Sequence, residues 1–278
     1  MRDVDRLALH AALRRRAAET PRRERWPFEV GGRTVGSVEP SDARLLAARV
    51  AGVALDDDCL VLLPRCAGDA APAFEAIAIA LRDAGRLGRW RDERLPVLAD
   101  DGSVLGAIER ATVRVLGLRT LSTHLCGCDP GGGIWVQRRA ADKTVDPGLL
   151  DTLSGGLVGA RREGAAWVAE SLPEALARET WEEAGLRPHD YAPPVHAGTA
   201  RVSRVLDDGY MSEDLVVHAT TLAAGVVPEN RDGEVDEFAC LGAHEVLARI
   251  AGGEFTLEAS LAILMCAQAG LVPGLAPG

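Results

Sequence analysis

Aromatic residues are scarce, at 4% of 278 positions, and no uninterrupted apolar run of about 18 residues occurs. The first scarcity makes any core aliphatic, built from the abundant Ala, Leu, Val and Gly. The second excludes a helical membrane span. A surplus of basic charge is also missing, since the formal net charge is −10, which argues against a partner read through a nucleic-acid backbone. The opening residues are charged throughout and lack the apolar stretch of a secretory signal, so a cytoplasmic location is expected, with neither membrane nor nucleic acid as partner. Cys59, Cys66, Cys126, Cys128, Cys240 and Cys266 are scattered in apolar surroundings, and buried reduced thiols are expected rather than disulfides. The one cluster, His124-Leu125-Cys126-Gly127-Cys128, lacks a fourth ligand at zinc spacing and alternates like a strand.

What is present is enough apolar material, 47% of the chain, for one large or two modest domains. Residues 3–18 read as an amphipathic helix, and a hairpin is expected around Gly31-Gly32, ending at Pro40. A helix at 42–50, a buried strand at 59–63 and an Ala-rich helix at 70–84 complete an α+β pattern with no phosphate loop or nucleophile motif. The polar stretch from Trp90 to Val97 reads as a surface loop with salt bridges. From about Glu109 strands dominate, at 121–128, 134–138, 195–205, 214–222 and 234–241, with helices at 243–250 and 257–269 and a frayed tail from Leu271. His218, alone on an apolar strand, reads as a packed core histidine.

The densest chemistry lies in ESLPEALARETWEEAGL, from Glu170 to Leu186. Ser171 is a good N-cap, Glu174 completes a capping box, Pro173 is tolerated in the first turn, and Gly185 and Pro188 supply the stop. At helical spacing Glu179, Glu182 and Glu183 fall within roughly a 100° arc of one face. Like charges so placed repel one another, so the arrangement calls for a cation. The plain alternative is a solvated acidic face with Arg178 pairing Glu182. Oxygen ligands without His or Cys suit Mg²⁺, with Mn²⁺ as the alternative.

These residues resemble the Nudix hydrolase box, G-x5-E-x7-R-E-U-x-E-E-x-G-U, through Gly164, Glu170, Arg178-Glu179, Glu182-Glu183 and Gly185-Leu186. The departure is Thr180, where the family has a bulky aliphatic residue. The resemblance implies an α/β protein with the Nudix α/β/α sandwich, and a metal-dependent hydrolase of diphosphates. It further implies Glu179, Glu182 and Glu183 as metal ligands, with Glu179 and Glu183 catalytic. Many members place Gly-Gly directly before the loop, whereas Gly155-Gly156 lie earlier here. Either Gly164 matches by chance, or the loop carries an insertion and Gly155-Gly156 make the close backbone turn, with Gly155 offering a carbonyl to the metal. Insertion is the reading preferred.

Over most of the chain the strings PFEVGGRTVG, GRWRDERLPV, IERAT, THLCGC and WVQRRAADKTVDPGLLD resemble the Nudix branch associated with thiamine pyrophosphokinase, whose Nudix module follows a small N-terminal domain. Residues 1–108 are therefore expected to form a smaller α+β domain and 109–278 the Nudix domain. The substrate implied is a small-molecule diphosphate, first of all thiamine diphosphate or its oxidised forms. Arg138, Arg139 and Lys143 are the candidate phosphate ligands, although strand alternation keeps the two arginines from facing the same way. Glu234, in an acidic loop entering a strand, is the candidate extra carboxylate of the site. An isopentenyl diphosphate isomerase-like enzyme is the alternative, but Ser154 stands where that chemistry needs a cysteine. A non-catalytic ligand sensor is a further alternative, disfavoured by the intact carboxylate set. A homodimer is compatible with the sequence and not specified by it.

Overall fold

Two large hydrophobic clusters divide the chain in the computed structural model, which describes residues 5–63 and 70–275. In the first, strands β1 (Trp26–Val30) and β2 (Arg33–Val38) form a hairpin whose Gly31 and Gly32 take φ of 59° and 75°, the left-handed pair that matches strand twist. After helix α2 (Pro40–Arg49) come β3 (Val53–Asp56), β4 (Cys59–Leu62) and helix α3 (Ala71–Asp83). The sheet order is β2-β1-β4-β3. Pro40 opens α2 rather than simply ending the hairpin, since the first turn of a helix tolerates its missing N–H.

The stretch expected as a surface loop is in large part a buried strand. β5 (Arg94–Leu98) pairs with β6 (Val104–Glu109), and Leu95, Val97 and Ile108 pack into the same cluster as Phe74. Arg94 opens the strand with a polar residue, but its guanidinium stays at the rim, 2.6 Å from Glu75, while its neighbours turn inward.

The second unit is built on β7 (Arg119–Cys128), the centre of a seven-stranded sheet. Its partners are β8 (Ile134–Arg139), β9 (Leu150–Asp151), β10 (Ser154–Leu157), β13 (Val195–Leu206), β14 (Gly209–Thr221) and β15 (Val235–Leu241). Along the main path the order is β13-β14-β7-β8-β15, and β10 pairs with β7. Alternation along β7 feeds both faces of the sheet. Leu125 shares a cluster with Leu176 and Ala184 of α4 (Leu172–Ala184) and with Leu186 just beyond it, while Cys126 and Cys128 meet the cluster containing α5 (Ala243–Ala251) and α6 (Leu257–Gln268). This is the layered α/β sandwich expected.

Several details depart from expectation. Helix α1 (Arg6–Arg16) opens the chain yet packs on the second unit, where Leu13 and Ala17 share a cluster with Leu261 and Ile263. The tail is not frayed as far as Leu275, because Val272 and Leu275 are buried in that cluster. Cys126, Cys128 and Cys266 are buried free thiols, but Cys59 is half-buried and Cys240 exposed, and Cys66 lies outside the described residues. Among the described residues no helix is long and apolar enough to cross a membrane.

Leu13→Ala is expected to destabilise the protein by about 2–5 kcal/mol through the cavity left under α1. Urea denaturation measures it, and a loss below about 1 kcal/mol would mean α1 is peripheral.

Candidate active site

Helix α4 forms as its caps dictate. The Ser171 side chain accepts from the Glu174 N–H, the Glu174 carboxylate accepts from the Ser171 N–H, and Gly185 closes the helix at φ 67°. Thr180, the departure from the motif, is fully buried, and its hydroxyl lies 2.9 Å from the Ser154 hydroxyl on β10. A polar pair satisfied across the helix–strand interface thus replaces an aliphatic contact. It also turns Ser154 into the packing and away from the cavity.

Gly164 and the glycine pair have separate places. Residues 160–169 fold into a hairpin of β11 (Ala160–Glu163) and β12 (Ala166–Ala169), and Gly164 sits in its turn at φ 61°. Gly155 and Gly156 lie in β10, so the turn expected there is a strand, without a left-handed φ at either residue. Their need for glycine is one of space. A Cβ on Gly155 would stand 2.7 Å from His124 Nδ1, and one on Gly156 would run into the Glu179 carboxylate. The Gly155 N–H, rather than its carbonyl, is engaged with the carboxylates, donating to Glu183 at 2.9 Å.

Arg178 is the hub of the loop. Its guanidinium donates in bidentate fashion to Glu170 at 3.0 and 2.8 Å, to Glu179 at 2.7 Å, to Glu182 at 3.1 Å and to the Leu157 carbonyl. Glu170 in turn accepts from the Gly159 N–H. Strand β10, the hairpin base and α4 are thereby tied at one point.

A cavity of about 150 Å³ opens beside this helix. Glu179, Glu183, Glu234, Arg139, Lys143, Gly155 and Gly156 line it; Glu182 and Arg138 do not. Glu182 is on the exposed side, paired with Arg178, and Arg138 is held outside by Glu237 and the Gly148 carbonyl, as strand alternation requires. Arg139 lies 3.0 Å from Asp151, and Lys143, the only lysine in the chain, pairs with Glu234. His218 is half-buried, in a tilted ring contact with His196 and away from this cavity.

Sequence reading missed Arg110, Arg114, Asp151 and Glu213, which also line the cavity. The available signals were slight: the acidic pair Glu213-Asp214 just before the apolar run of β14, and an arginine in the string IERAT.

Burial dominates the electrostatics. It pushes the Glu183 carboxyl up to about 8, with the Glu179 charge adding to the effect, against donation from Gly155 and Gln137. Burial likewise lifts Glu179 to about 7 despite Arg178 beside it. Glu213 is raised to about 7, first by burial and then by Glu258, with Ser122 donating to it at 2.8 Å. Glu234 is the exception: burial would raise it, but the Lys143 ammonium outweighs that and holds it below the usual range.

These carboxylates fit a divalent cation. Both donors to Glu183 use Oε2, which leaves Oε1 for a ligand, and like charges buried together are relieved by a cation that displaces their protons. Among the described residues no three His, Cys, Asp or Glu side chains already converge as a metal cage. Engaging Glu179 and Glu182 together requires loosening their pairs with Arg178.

A profile of the NUDIX domain matches residues 119–259, just over half of the chain. The chain belongs to the Nudix family. An uncharacterized Nudix hydrolase of Streptomyces coelicolor is 35% identical over 94 residues, covering 34% of this chain and 48% of the relative. Nudix hydrolase 20, chloroplastic, of Arabidopsis thaliana is 26% identical over 180 residues, covering 61% and 44%. The chain therefore spans about half the length of the curated relatives it matches. A Deinococcus radiodurans crystal structure aligns with a TM-score of 0.43 at 24% identity, covering 62% of this chain and 97% of that one.

Two consequences of the Nudix site geometry are measurable. Gly156→Ala is expected to leave the fold intact, because the long Glu179 side chain can swing aside, but to weaken Mn²⁺ binding at least about tenfold; unaltered affinity in an electron paramagnetic resonance titration would refute the close approach. The folded-state values of Glu179 and Glu183 lie above the ordinary 4.5 of the unfolded chain. Between about pH 4.5 and 8 the folded protein then holds protons the unfolded chain has released. In metal-free buffer the contribution of these groups to stability falls as pH rises through that window, and Mg²⁺ is expected to flatten the slope. Thermal melts across pH with EDTA and with Mg²⁺ read this directly.

Proposed function

We propose that this Nudix protein is a Mg²⁺-dependent hydrolase that cleaves the diphosphate bond of a nucleoside- or cofactor-like substrate, giving a monophosphate and phosphate. The observation that carries the reading is the cavity in which half-buried Glu179 and buried Glu183 stand with Arg139 and Lys143. Mn²⁺ is the alternative metal.

Glu179 and Glu183 would hold the cation, with Glu182 joining when Arg178 releases it. A bound divalent ion supplies charge screening for the phosphates and acidifies a water. Arg139 and Lys143 exchange their carboxylate partners for phosphate oxygens, the guanidinium through its fork and the ammonium as a point charge. Glu234 then loses the ammonium that holds it ionised, its proton affinity rises, and it takes the proton of the attacking water. Among the described residues no cluster positions a nucleophile at the carbon side, so water is expected to enter at phosphorus.

The Ser154–Thr180 pairing weighs against isomerase chemistry, since Ser154 is fully buried and does not line the cavity. For the substrate, the similarity to the thiamine pyrophosphokinase-associated branch supports thiamine diphosphate, and its oxidised forms, as the first compounds to test. We assign bond cleavage to the later unit, 109–278, and substrate choice to residues 1–108.

Glu183→Gln is expected to lower Mg²⁺-dependent turnover by at least about 10²-fold while the protein stays folded, and unchanged turnover at saturating Mg²⁺ would exclude Glu183 as a ligand. In ¹⁸O-labelled water the label is expected in a phosphate product; label in the released alcohol would overturn attack at phosphorus. Because Lys143 is the only lysine, an amine-directed reagent should mark it, and Mg²⁺ with a diphosphate should protect it. Labelling unaffected by ligand would remove Lys143 from the phosphate site.

A further inference from the structure

Next to the carboxylate cavity lies a second one of about 100 Å³, and the two share Arg110, Arg114, Leu157, Met211 and Glu213. The two cavities are therefore adjacent, with these five side chains between them. The far wall of the second belongs to the loop between α3 and β5, which contributes Gly88, Arg89 and Arg91. The two ends differ in charge. The carboxylate end carries more acids than bases, whereas in the far cavity Arg89, Arg91, Arg110 and Arg114 stand against Asp208 and Glu213.

The four arginines are not equally occupied. Arg110 pairs with Glu93 at 2.6 Å and Arg114 with Asp208 at 2.8 Å. The guanidinium groups of Arg89 and Arg91 hold no hydrogen bond or ion pair with any described residue; Arg91 is anchored only through its backbone N–H, which donates to buried Glu109 at 2.8 Å. Their loop is thus pinned while two free guanidinium forks border a concave wall, an arrangement suited to binding an oxyanion. Leu157 and Met211, at the junction, place apolar surface between the two charged ends.

We propose that this far end binds a phosphate carried on the organic half of the substrate, so that the preferred substrate class is a diphosphate whose organic half bears a further phosphate. The inference rests on the carboxylate cavity being the diphosphate site. The apolar junction then meets the uncharged portion between the two anionic groups. Thiamine diphosphate and its oxidised forms carry no further phosphate and would leave Arg89 and Arg91 unused, so the subsite makes them weaker ligands than the phosphate-bearing class.

Matched probes isolate the extra group: NADPH against NADH, and coenzyme A against 3′-dephospho-coenzyme A, each pair sharing the diphosphate and differing by one phosphate. Binding is measured by calorimetry on the unsubstituted protein with Ca²⁺, an oxygen-seeking cation of the same charge, in place of Mg²⁺, so that turnover does not interfere. At least one pair is expected to show about tenfold tighter binding of the phosphate-bearing member, with the preference falling to near unity in a protein that carries Arg89→Gln and Arg91→Gln. Equal affinity within both pairs, binding of no probe, or a preference that survives the arginine substitutions would overturn the subsite. Hydrolysis by the unsubstituted protein is scored separately by product mass spectrometry. Phosphate-dependent binding without Mg²⁺-dependent cleavage of any diphosphate would sink the hydrolase reading and leave the subsite standing; Mg²⁺-dependent cleavage with equal affinities would do the reverse.

Discussion

The burial of two adjacent carboxylates is the constraint on which the rest of the site depends. Glu179 and Glu183 are one helical turn apart on α4, and burial raises both far above the usual carboxylate range. Charge placed this way is unfavourable unless something nearby donates to it or neutralises it. The fold supplies part of that relief: Gly155 and Gln137 donate to one oxygen of Glu183, and Arg178 to Glu179. What is left over would be relieved by a cation, which is what the proposed function requires. The unfavourable burial and the proposed chemistry have the same physical origin.

Holding those carboxylates requires α4 and β10 to approach closely, and the local sequence serves that approach. Gly155 and Gly156 have no side chains to intervene, and the buried Ser154–Thr180 hydroxyl pair satisfies itself within the interface. Arg178 secures the other edge by gathering Glu170 and the Leu157 carbonyl. Because this fastening acts at the base of the β11–β12 hairpin, the ten residues 160–169 extend outward without moving the carboxylates. A surface hairpin whose ends are fixed adds little closure entropy.

The second cavity owes its place to the joining of the two units. Arg110 and Arg114 follow β6 directly, at the point where the chain passes from the first cluster to the second. They belong to both cavities. An end rich in carboxylates and an end rich in arginine are thus set side by side, and a protein with a strongly negative net charge nevertheless presents a local surplus of arginine. Local placement, rather than overall charge, decides what such a site can hold.

The sequence by itself determined the elements whose causes are local. The capping box, the left-handed Gly185 stop, the hairpin at Gly31-Gly32 and the strand periodicity of β7, β8, β13 and β14 all arise from residues within a few positions of one another, and so did the clustering of Glu179, Glu182 and Glu183 on one face. Whatever depends on distant residues meeting was decided by tertiary structure. Arg94 made β5 look like a surface loop, although Leu95 and Val97 are needed in a core with Phe74. Leu13 joined the core farthest from it in sequence. Gly164 matched a motif spacing yet sits at a hairpin tip, while Gly156, at a different spacing, abuts Glu179. Arg110, Arg114 and Glu213 carry at most a slight local mark of a site, because a side chain comes to line a cavity only when strands distant in sequence are laid side by side.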